Sequence, residues 1–351
     1  MTNMQEYELP TVTIIAPCRN EAGFIERTIT TILGNDYPAD LIELLIVDGM
    51  STDGTRDIVQ KIAEKDQRIK LLDNPNRIVP TAMNIGIRTA KGEYIIRIDC
   101  HSAFSSNYIS KCIEVSKRTG AANVGGYWET MPGADTKTAK AIAAATSSKF
   151  GVGNAAFRIG GHECEADTVP FGTYRKAIFE TVGYYDERLV RNQDIELNSR
   201  IRDAGGKIII SPEIKLKYYN RATYRGIWQQ SFNNGLWNPY TIWLVGSGLH
   251  LRHFVPMVFV FSVILLGLLS IFYWPFIILL GLDIFTYSFA AIYFAINTGK
   301  KRNVSMIRVF AAYFILHIAY GIGSLWGVLT IPLKFPNRKA KKVGKAIADR
   351  I

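Results

Sequence analysis

The stretch Tyr94-Ile95-Ile96-Arg97-Ile98-Asp99-Cys100-His101 follows Lys91-Gly92-Glu93 and reads as a buried strand delivering an acid and an imidazole to its C-terminal end. Sheets of α/β proteins gather their chemistry at such ends. Asp99 and His101 stand two residues apart, on one face of an extended chain, while Cys100 points to the other. A carboxylate and a neutral imidazole placed in this way can converge on one divalent cation.

Upstream, strands are expected over 11–16, 42–47 and 69–72, with helices over about 22–33, 55–64 and 80–90. The loop Pro17-Cys18-Arg19-Asn20-Glu21 leaves the first strand. The segment Asp48-Gly49-Met50-Ser51-Thr52-Asp53-Gly54-Thr55 leaves the second, and its Ser51, Thr52 and Asp53 are placed to cap the following helix. This β-α-β-α-β-α-β alternation predicts an α/β fold with a mostly parallel, doubly wound sheet.

The charge of the 351-residue chain marks a second region. Residues 251–351 contain 12 Lys and Arg against two acids, so they hold +10 of the formal +11, and residues 1–250 are near neutral. The positive charge flanks apolar segments and is not spread over a face with interleaved aromatics, which excludes a nucleic-acid partner. Between Phe254 and Ile296 the only charged residue is Asp283, and Trp274-Pro275 interrupts the run, predicting transmembrane helices over about 254–273 and 275–297. Asp283 is costly in lipid and should face a helix partner or polar cavity. A third apolar stretch, 304–331, separates Lys300-Lys301-Arg302 from the basic tail that begins at Lys334. Both basic groups favour the cytosolic side, so this stretch is expected to be re-entrant or interfacial and broken at Gly321-Ile322-Gly323. Residues 1–10 carry no secretory signal pattern, and the four cysteines form no zinc knuckle or redox motif, which fits a reducing compartment. The expected division is a cytosolic domain over 1–235, an interfacial linker over 236–253, a membrane region over 254–331 and a basic cytosolic tail over 332–351.

Several motifs now align in order: Pro17-x-x-Asn20-Glu21, Tyr37-Pro38, Val47-Asp48-x-x-Ser51-Thr52-Asp53-Gly54-Thr55, Asp99-x-His101, Phe171-Gly172-Thr173-Tyr174-Arg175, Val182-Gly183-Tyr184-Tyr185-Asp186-Glu187, and Gln193-Asp194-Ile195-Glu196-Leu197 with Arg200 and Gly205. Together they resemble a family 2 glycosyltransferase of the GT-A fold, of the membrane-associated, succinoglycan-biosynthesis type. The resemblance covers the chain to about residue 250. It implies a Rossmann-like GT-A catalytic domain followed by C-terminal transmembrane helices, anchored in the cell (cytoplasmic) membrane.

What the resemblance implies for the site runs as follows. Pro17, Arg19, Asn20, Glu21 and Asp48 would form a uridine pocket, with Asp48 accepting from the uracil imide. Asp99 would join the nucleotide site and, with His101, hold Mn²⁺ or Mg²⁺ against the donor diphosphate. Asp194 would be the base that deprotonates the acceptor hydroxyl as it attacks the anomeric carbon with inversion. Gly172, Arg221 and Gln230 would contact the diphosphate or acceptor. The chain departs from the usual family pattern at Gly49, His101 and Gln193, each standing where an acid is common. Gly151-Val152-Gly153-Asn154-Ala155-Ala156 follows a helix rather than opening one, so it is no dinucleotide fingerprint; with Phe157, Arg158, Gly160, Gly161 and His162 it suits a mobile flap. His162-Glu163-Cys164-Glu165 reads as a solvated loop. The absence of Gln-x-x-Arg-Trp argues for addition of one sugar. The implied reaction takes a nucleotide-sugar donor, UDP-linked, to a lipid-linked or polysaccharide acceptor, alongside polysaccharide-assembly proteins. The alternatives are a processive polysaccharide synthase and a non-catalytic scaffold of a polysaccharide-export complex.

Overall fold

Strand β1 (Val12–Cys18) is almost wholly buried, as an apolar run must be when both faces of a parallel sheet are covered. The computed structural model describes residues 9–335 apart from 101, 154 and 247, and β1 opens a run of α1 (Ile25–Leu33), β2 (Ile42–Asp48), α2 (Thr55–Ala63), β3 (Ile69–Asp73), α3 (Val79–Thr89) and β4 (Tyr94–Arg97). Then follow β5 (Ser102–Phe104), α4 (Tyr108–Thr119), β6 (Asn123–Met131), α5 (Lys137–Thr146), α6 (Lys149–Val152), α7 (Ala156–Ile159), β7 (Cys164–Glu165) and β8 (Thr173–Arg175). The chain continues through α8 (Ile178–Val182), α9 (Gln193–Asp203), β9 (Ile208–Tyr219), α10 (Tyr224–Val245), α11 (Val255–Phe272), α12 (Phe276–Arg302) and α13 (Met306–Lys334). Two compact units result, one of residues up to Tyr127 with Gly161–Leu216, the other of Trp128–Gly160 with the chain from Lys217 onward.

In the first unit the expected alternation forms a doubly wound half-sheet. β1 lies parallel to β2 in register from Val12 opposite Ile42 to Cys18 opposite Asp48, β3 is parallel to β2, and β4 is parallel to the other edge of β1. The strand order β3-β2-β1-β4-β8-β6-β9-β5 therefore reverses direction at β1. A crevice opens at such a switch point, outside the carboxyl ends of β1 and β4. Beyond β4 the sheet turns antiparallel, with β8 against both β4 and β6, so the whole sheet is mixed and its parallel half is the half that the alternation predicts.

The second unit is helical. Three of its helical segments, Leu251–Phe272, Phe276–Arg302 and Met306–Lys334, are long and apolar enough to cross a membrane. Asp283 accepts a hydrogen bond from the Ser262 hydroxyl at 2.6 Å, the helix partner its cost in lipid calls for. The expected break at Gly321-Ile322-Gly323 is corrected: α13 runs without interruption through all three residues. The glycines serve close packing instead. A Cβ on Gly323 would fall 2.1 Å from the Phe232 carbonyl oxygen, and one on Gly235 2.0 Å from that of Tyr320, so α10 and α13 meet backbone to backbone.

The expected boundary at 235/236 also falls inside a continuous helix. Thr223 caps α10 by accepting from the Gly226 amide at 3.1 Å, and Gly246, at φ 73°, ends it, so the expected linker 236–253 is mostly the second half of that helix. The tail expected over 332–351 begins within α13, and residues 336–351 lie outside the described residues.

The segment expected to be a mobile flap, 151–162, contains the end of α6 and the whole of α7, and contacts hold it at Phe150, just before it, and at Arg158. Phe150 stacks on Phe294 at 4.9 Å, and its carbonyl accepts from His317 Nε2 at 3.0 Å. The Arg158 guanidinium lies 4.5 Å over the Trp128 ring, and that ring stacks on Tyr218 at 4.1 Å.

Because α10 and α13 touch through their backbones, Gly323→Leu should destabilise the second unit by about 1–3 kcal/mol through overpacking. The detergent-purified variant is expected to show a lower thermal midpoint. Gly267→Ala, in open space on α11, should leave the midpoint unchanged.

Candidate active site

The two loops at the switch point are bound to one carboxylate. Asp48 is completely buried at the end of β2. Its Oδ2 accepts from the Ser51 amide at 2.9 Å and from Arg56 Nη1 at 2.7 Å, while its Oδ1 accepts from the Ser51 hydroxyl at 2.5 Å and the Cys18 thiol at 3.5 Å. Burial raises its pKa, but the bonds from Ser51, Arg56 and Cys18 outweigh that and hold the carboxyl below its ordinary value. These four donors account for the acceptor sites of a carboxylate. Asp48 therefore ties the loops together from behind the cleft that Pro17, Arg19, Glu21 and Asp99 line.

Of the residues expected to cap α2, Asp53 does so in part, its Oδ1 accepting from the amide of Thr55, the first residue of the helix, at 3.1 Å, and the three also bond elsewhere. The N-cap is Gly54, at φ 90°, with no side-chain cap. Ser51 Oγ accepts from the Asn20 amide at 2.8 Å, Asn20 Oδ1 accepts from the Thr52 amide at 2.9 Å, and Asp53 Oδ2 accepts from the Ala22 amide at 3.1 Å. Glu21 donates its amide to Thr55 Oγ1 at 2.8 Å. Capping residues and loop-stitching residues are the same types, and here the nearby 20–22 loop takes their hydrogen bonds.

Between these loops and α3 lies a cleft lined by Pro17, Arg19, Glu21 and Asp99 among the expected residues, and by Gly49. Asn74, Arg77, Ile78 and Val79 line it as well, and sequence reading missed them. The available signal was the turn Asn74-Pro75-Asn76-Arg77 at the end of the third parallel strand, where Arg77 adopts a left-handed φ of 60°. Gly49 leaves room for Arg19: a Cβ there would stand 3.2 Å from the Arg19 Cβ.

At the end of β4, Arg97 and Asp99 form an ion pair, Nη2 to Oδ1 at 3.2 Å, with side chains 11% and 25% exposed. Burial works against the Arg97 charge, but Asp99, then Tyr185 and Asp194, more than offset it, so the guanidinium is held above its ordinary value. The ion pair thus sets the expected Asp99 beside a largely buried cation. Asp194 lies in the first turn of α9, its Oδ1 accepting from the Ile195 amide at 3.0 Å. Gly172 sits behind this group. Its carbonyl accepts from the Arg97 amide at 3.1 Å, and a Cβ on it would meet the Tyr174 hydroxyl at 2.6 Å, so its part is close packing under Arg97.

Glu196, by contrast, is bound in a fork to Arg200, Nε to Oε1 at 2.7 Å and Nη2 to Oε2 at 2.8 Å, while the same guanidinium donates to the carbonyls of Val182 and Tyr184. That clamp fixes the loop before α9. The expected Arg221 and Gln230 belong to the second unit, Arg221 exposed and Gln230 on α10 with its Oε1 buried. His101 lies outside the described residues. Among the described residues no three His, Cys, Asp or Glu side chains group as a metal cage. Asp99 alone still suits Mg²⁺ or Mn²⁺, hard cations that take one or two carboxylates, substrate phosphates and waters rather than an all-protein shell.

A doubly wound half-sheet whose switch point carries a cleft lined by Arg19, Glu21 and Asp99, continued by antiparallel strands, is the architecture of a GT-A glycosyltransferase domain. Residues 13–183 match glycosyl transferase family 2. The chain is 36% identical over 224 residues to the succinoglycan biosynthesis protein ExoA of Rhizobium meliloti, covering 63% of this chain and 67% of that protein. It therefore belongs to glycosyl transferase family 2. It is also 28% identical over 233 residues, 64% of this chain and 71% of the other, to the dolichyl N-acetyl-alpha-D-glucosaminyl phosphate 3-beta-D-2,3-diacetamido-2,3-dideoxy-beta-D-glucuronosyltransferase of Methanococcus voltae. Among solved structures, the mannosyltransferase PcManGT of Pyrobaculum calidifontis, in complex with GDP-mannose and Mn²⁺, shares the fold with a TM-score of 0.61 at 18% identity, over 91% of this chain and 88% of that one.

Removing Arg56 leaves the buried Asp48 carboxylate without the charged one among its four donors, so Arg56→Met should cost about 2–4 kcal/mol. The sign of the pH dependence follows. A carboxyl held below its ordinary value stabilises the fold above that value and loses the contribution as pH falls through its folded pKa. Acid unfolding of Arg56→Met, followed by circular dichroism, is expected to begin at higher pH than in the wild type.

Proposed function

We propose that the chain is an inverting glycosyltransferase that moves one sugar from a nucleotide-diphosphate donor to a lipid-linked saccharide or cell-surface polysaccharide. The carrying observation is the cleft at the switch point between β1 and β4, lined by Pro17, Arg19, Glu21 and Asp99. In this reading Pro17, Arg19, Glu21 and Arg77 hold the nucleotide, and Asn20 and Asp48 fix the shape of its pocket. Asp99 and His101 are the residues that would hold Mn²⁺ or Mg²⁺. Bound there, the ion would stabilise the negative charge that develops on the departing diphosphate. Asp194 accepts the proton of the acceptor hydroxyl as its oxygen bonds to the anomeric carbon from the face opposite the diphosphate. The electron pair of the breaking glycosidic bond leaves with the nucleotide. A UDP-sugar is the donor proposed, and Arg221 and Gln230 remain proposed contacts to diphosphate or acceptor.

The lipid-linked acceptor is supported by the three apolar helices and by the dolichyl phosphate in the name of the Methanococcus voltae relative. Exopolysaccharide synthesis is supported by the likeness to the succinoglycan protein. The proposed location is the cytoplasmic membrane with the first unit in the cytosol.

The test is transfer of label from radioactive UDP- and GDP-sugars to bacterial lipid extract by the detergent-purified protein with Mn²⁺, followed by organic extraction. Organic-phase label should appear with one donor, vanish with EDTA, and fall by about 10²–10⁴ in Asp194→Asn. No label from any donor, with membranes of the native host also supplied, would overturn the proposal.

A further inference from the structure

Arg158, on α7, is a half-buried cation that pairs with no carboxylate and no hydrogen-bond acceptor among the described residues. Its guanidinium lies 4.5 Å over the Trp128 ring, 5.5 Å from that of Phe157 and 5.6 Å from that of Tyr218. Trp128 stacks on Tyr218 and meets Phe157 edge-on at 5.0 Å, so three rings form one wall behind the charge. Burial pushes the guanidinium below its ordinary pKa, and Tyr218 only partly opposes this. Rings attract the face of a guanidinium but leave the N–H groups in its plane unmatched, and such donors are costly to take out of water. Thr130 stands two residues after Trp128, on the same face of β6, and its buried Oγ1 also has no partner among the described residues. Guanidinium and hydroxyl can both donate, so the group that suits them is an acceptor with negative charge.

We infer that Arg158, backed by the Trp128–Tyr218 stack and joined by Thr130, binds the phosphate of a membrane lipid. The planar fork of a guanidinium matches two phosphate oxygens at once, and with one face held against a ring it is already oriented to do so. The neighbouring chain points to a lipid as the carrier. α6 ends at Val152, shortly before α7, and its Phe150 stacks on Phe294 of α12 while the Phe150 carbonyl accepts from His317 of α13. Both of those helices are apolar enough to cross a membrane, so α7 is tethered to chain that would lie in lipid. Trp and Tyr beside an Arg suit the headgroup level of a bilayer. None of Arg158, Trp128, Thr130 and Tyr218 lines the nucleotide cleft, so this binding is additional to that of the donor and needs no nucleotide. An anionic phospholipid and a lipid-linked acceptor present the same phosphate group, and the experiment separates them.

The inference is tested on the full chain in detergent, without nucleotide, by native mass spectrometry with four probes: farnesyl phosphate, dioctanoyl phosphatidylglycerol, inorganic phosphate and the neutral alcohol farnesol. Wild type should bind at least one of the two phosphate lipids saturably. Farnesyl phosphate alone would mark an acceptor subsite, and phosphatidylglycerol, alone or as well, a headgroup site; either supports the inference. Arg158→Met, which keeps an unbranched side chain over Trp128, should weaken that binding by about tenfold or more. Arg158→Lys keeps the charge but loses the fork, and Thr130→Val loses the hydroxyl, so each should weaken it by roughly threefold. A purely structural Arg158 would lower the thermal midpoint of Arg158→Met and leave its lipid affinity at the wild-type value, which would overturn the inference. Farnesol or inorganic phosphate bound as tightly as the phosphate lipids would overturn it too, as would wild type that binds neither phosphate lipid. If Arg158→Met does not fold, wild-type affinity in both Arg158→Lys and Thr130→Val overturns it. Because no nucleotide sugar takes part, failure of sugar transfer would leave this result untouched.

Discussion

A carboxylate sealed from water must have its lone pairs filled, and at Asp48 that requirement organises the nucleotide end of the molecule. The donors come from the end of β1, from the loop after β2 and from α2, so one charge ties three pieces of chain. The loop after β2 then carries Ser51 and Thr52 to the backbone and side chain of Asn20. Pro17, Arg19 and Glu21 line the cleft because the segment that bears them is held in this way. A pocket built from two irregular loops thus takes on the rigidity of the sheet below it, which suits a site that must hold a flexible diphosphate in one pose.

The helical unit meets a different constraint. Wherever an apolar helix lies in lipid, no hydrophobic force drives it against a neighbour, and close van der Waals packing has to serve. Gly235 on α10 and Gly321, Gly323 and Gly327 on α13 let neighbouring backbones approach to distances that no side chain would permit. Around them Ser324 donates to the Gly235 carbonyl at 3.1 Å, and Asn238 donates to the Tyr320 hydroxyl at 2.8 Å. These polar groups of α10 find partners on α13. This pairing explains why α13 is the most enclosed of the three apolar helices and why its glycines do not break it.

Periodicity exposed the parallel half of the sheet because each strand there is short, apolar and bounded by turn residues, and each helix has a one-sided face. The acids at the ends of β2 and β4 were equally visible, but their directions were not: a strand-end aspartate looks the same in sequence whether it faces a cleft or a core. That is why Asp99 lies in the cleft as expected while Asp48 turned out to be a structural hub. The excursion of residues 128–160 into the second unit leaves no local mark, since α5 is an ordinary helix and nothing in its composition says which unit it packs with. Arg97 did leave a mark. A guanidinium in a buried strand, two residues before an acid and hence on the same face, has few explanations other than charge pairing at that face.

The acids of the first unit sort themselves by what already binds them. Asp48 has four donors, Glu196 is held by both arms of Arg200, and Asp186 accepts from Arg188 Nε at 2.9 Å and from its Nη2 at 2.5 Å. None of these can turn to a substrate without giving up a charge-assisted bond. Asp99 and Asp194 are bound more lightly: each is partly exposed, Asp99 takes one bond from Arg97 Nη2 at 3.2 Å, and Asp194 accepts from the Ile195 amide at 3.0 Å. A carboxylate held by a single bond keeps acceptor capacity, which is what the proposed phosphate-side ligand and proton acceptor require. The same residue type thus stands as a strut or with capacity to spare according to how completely the surrounding fold has satisfied it.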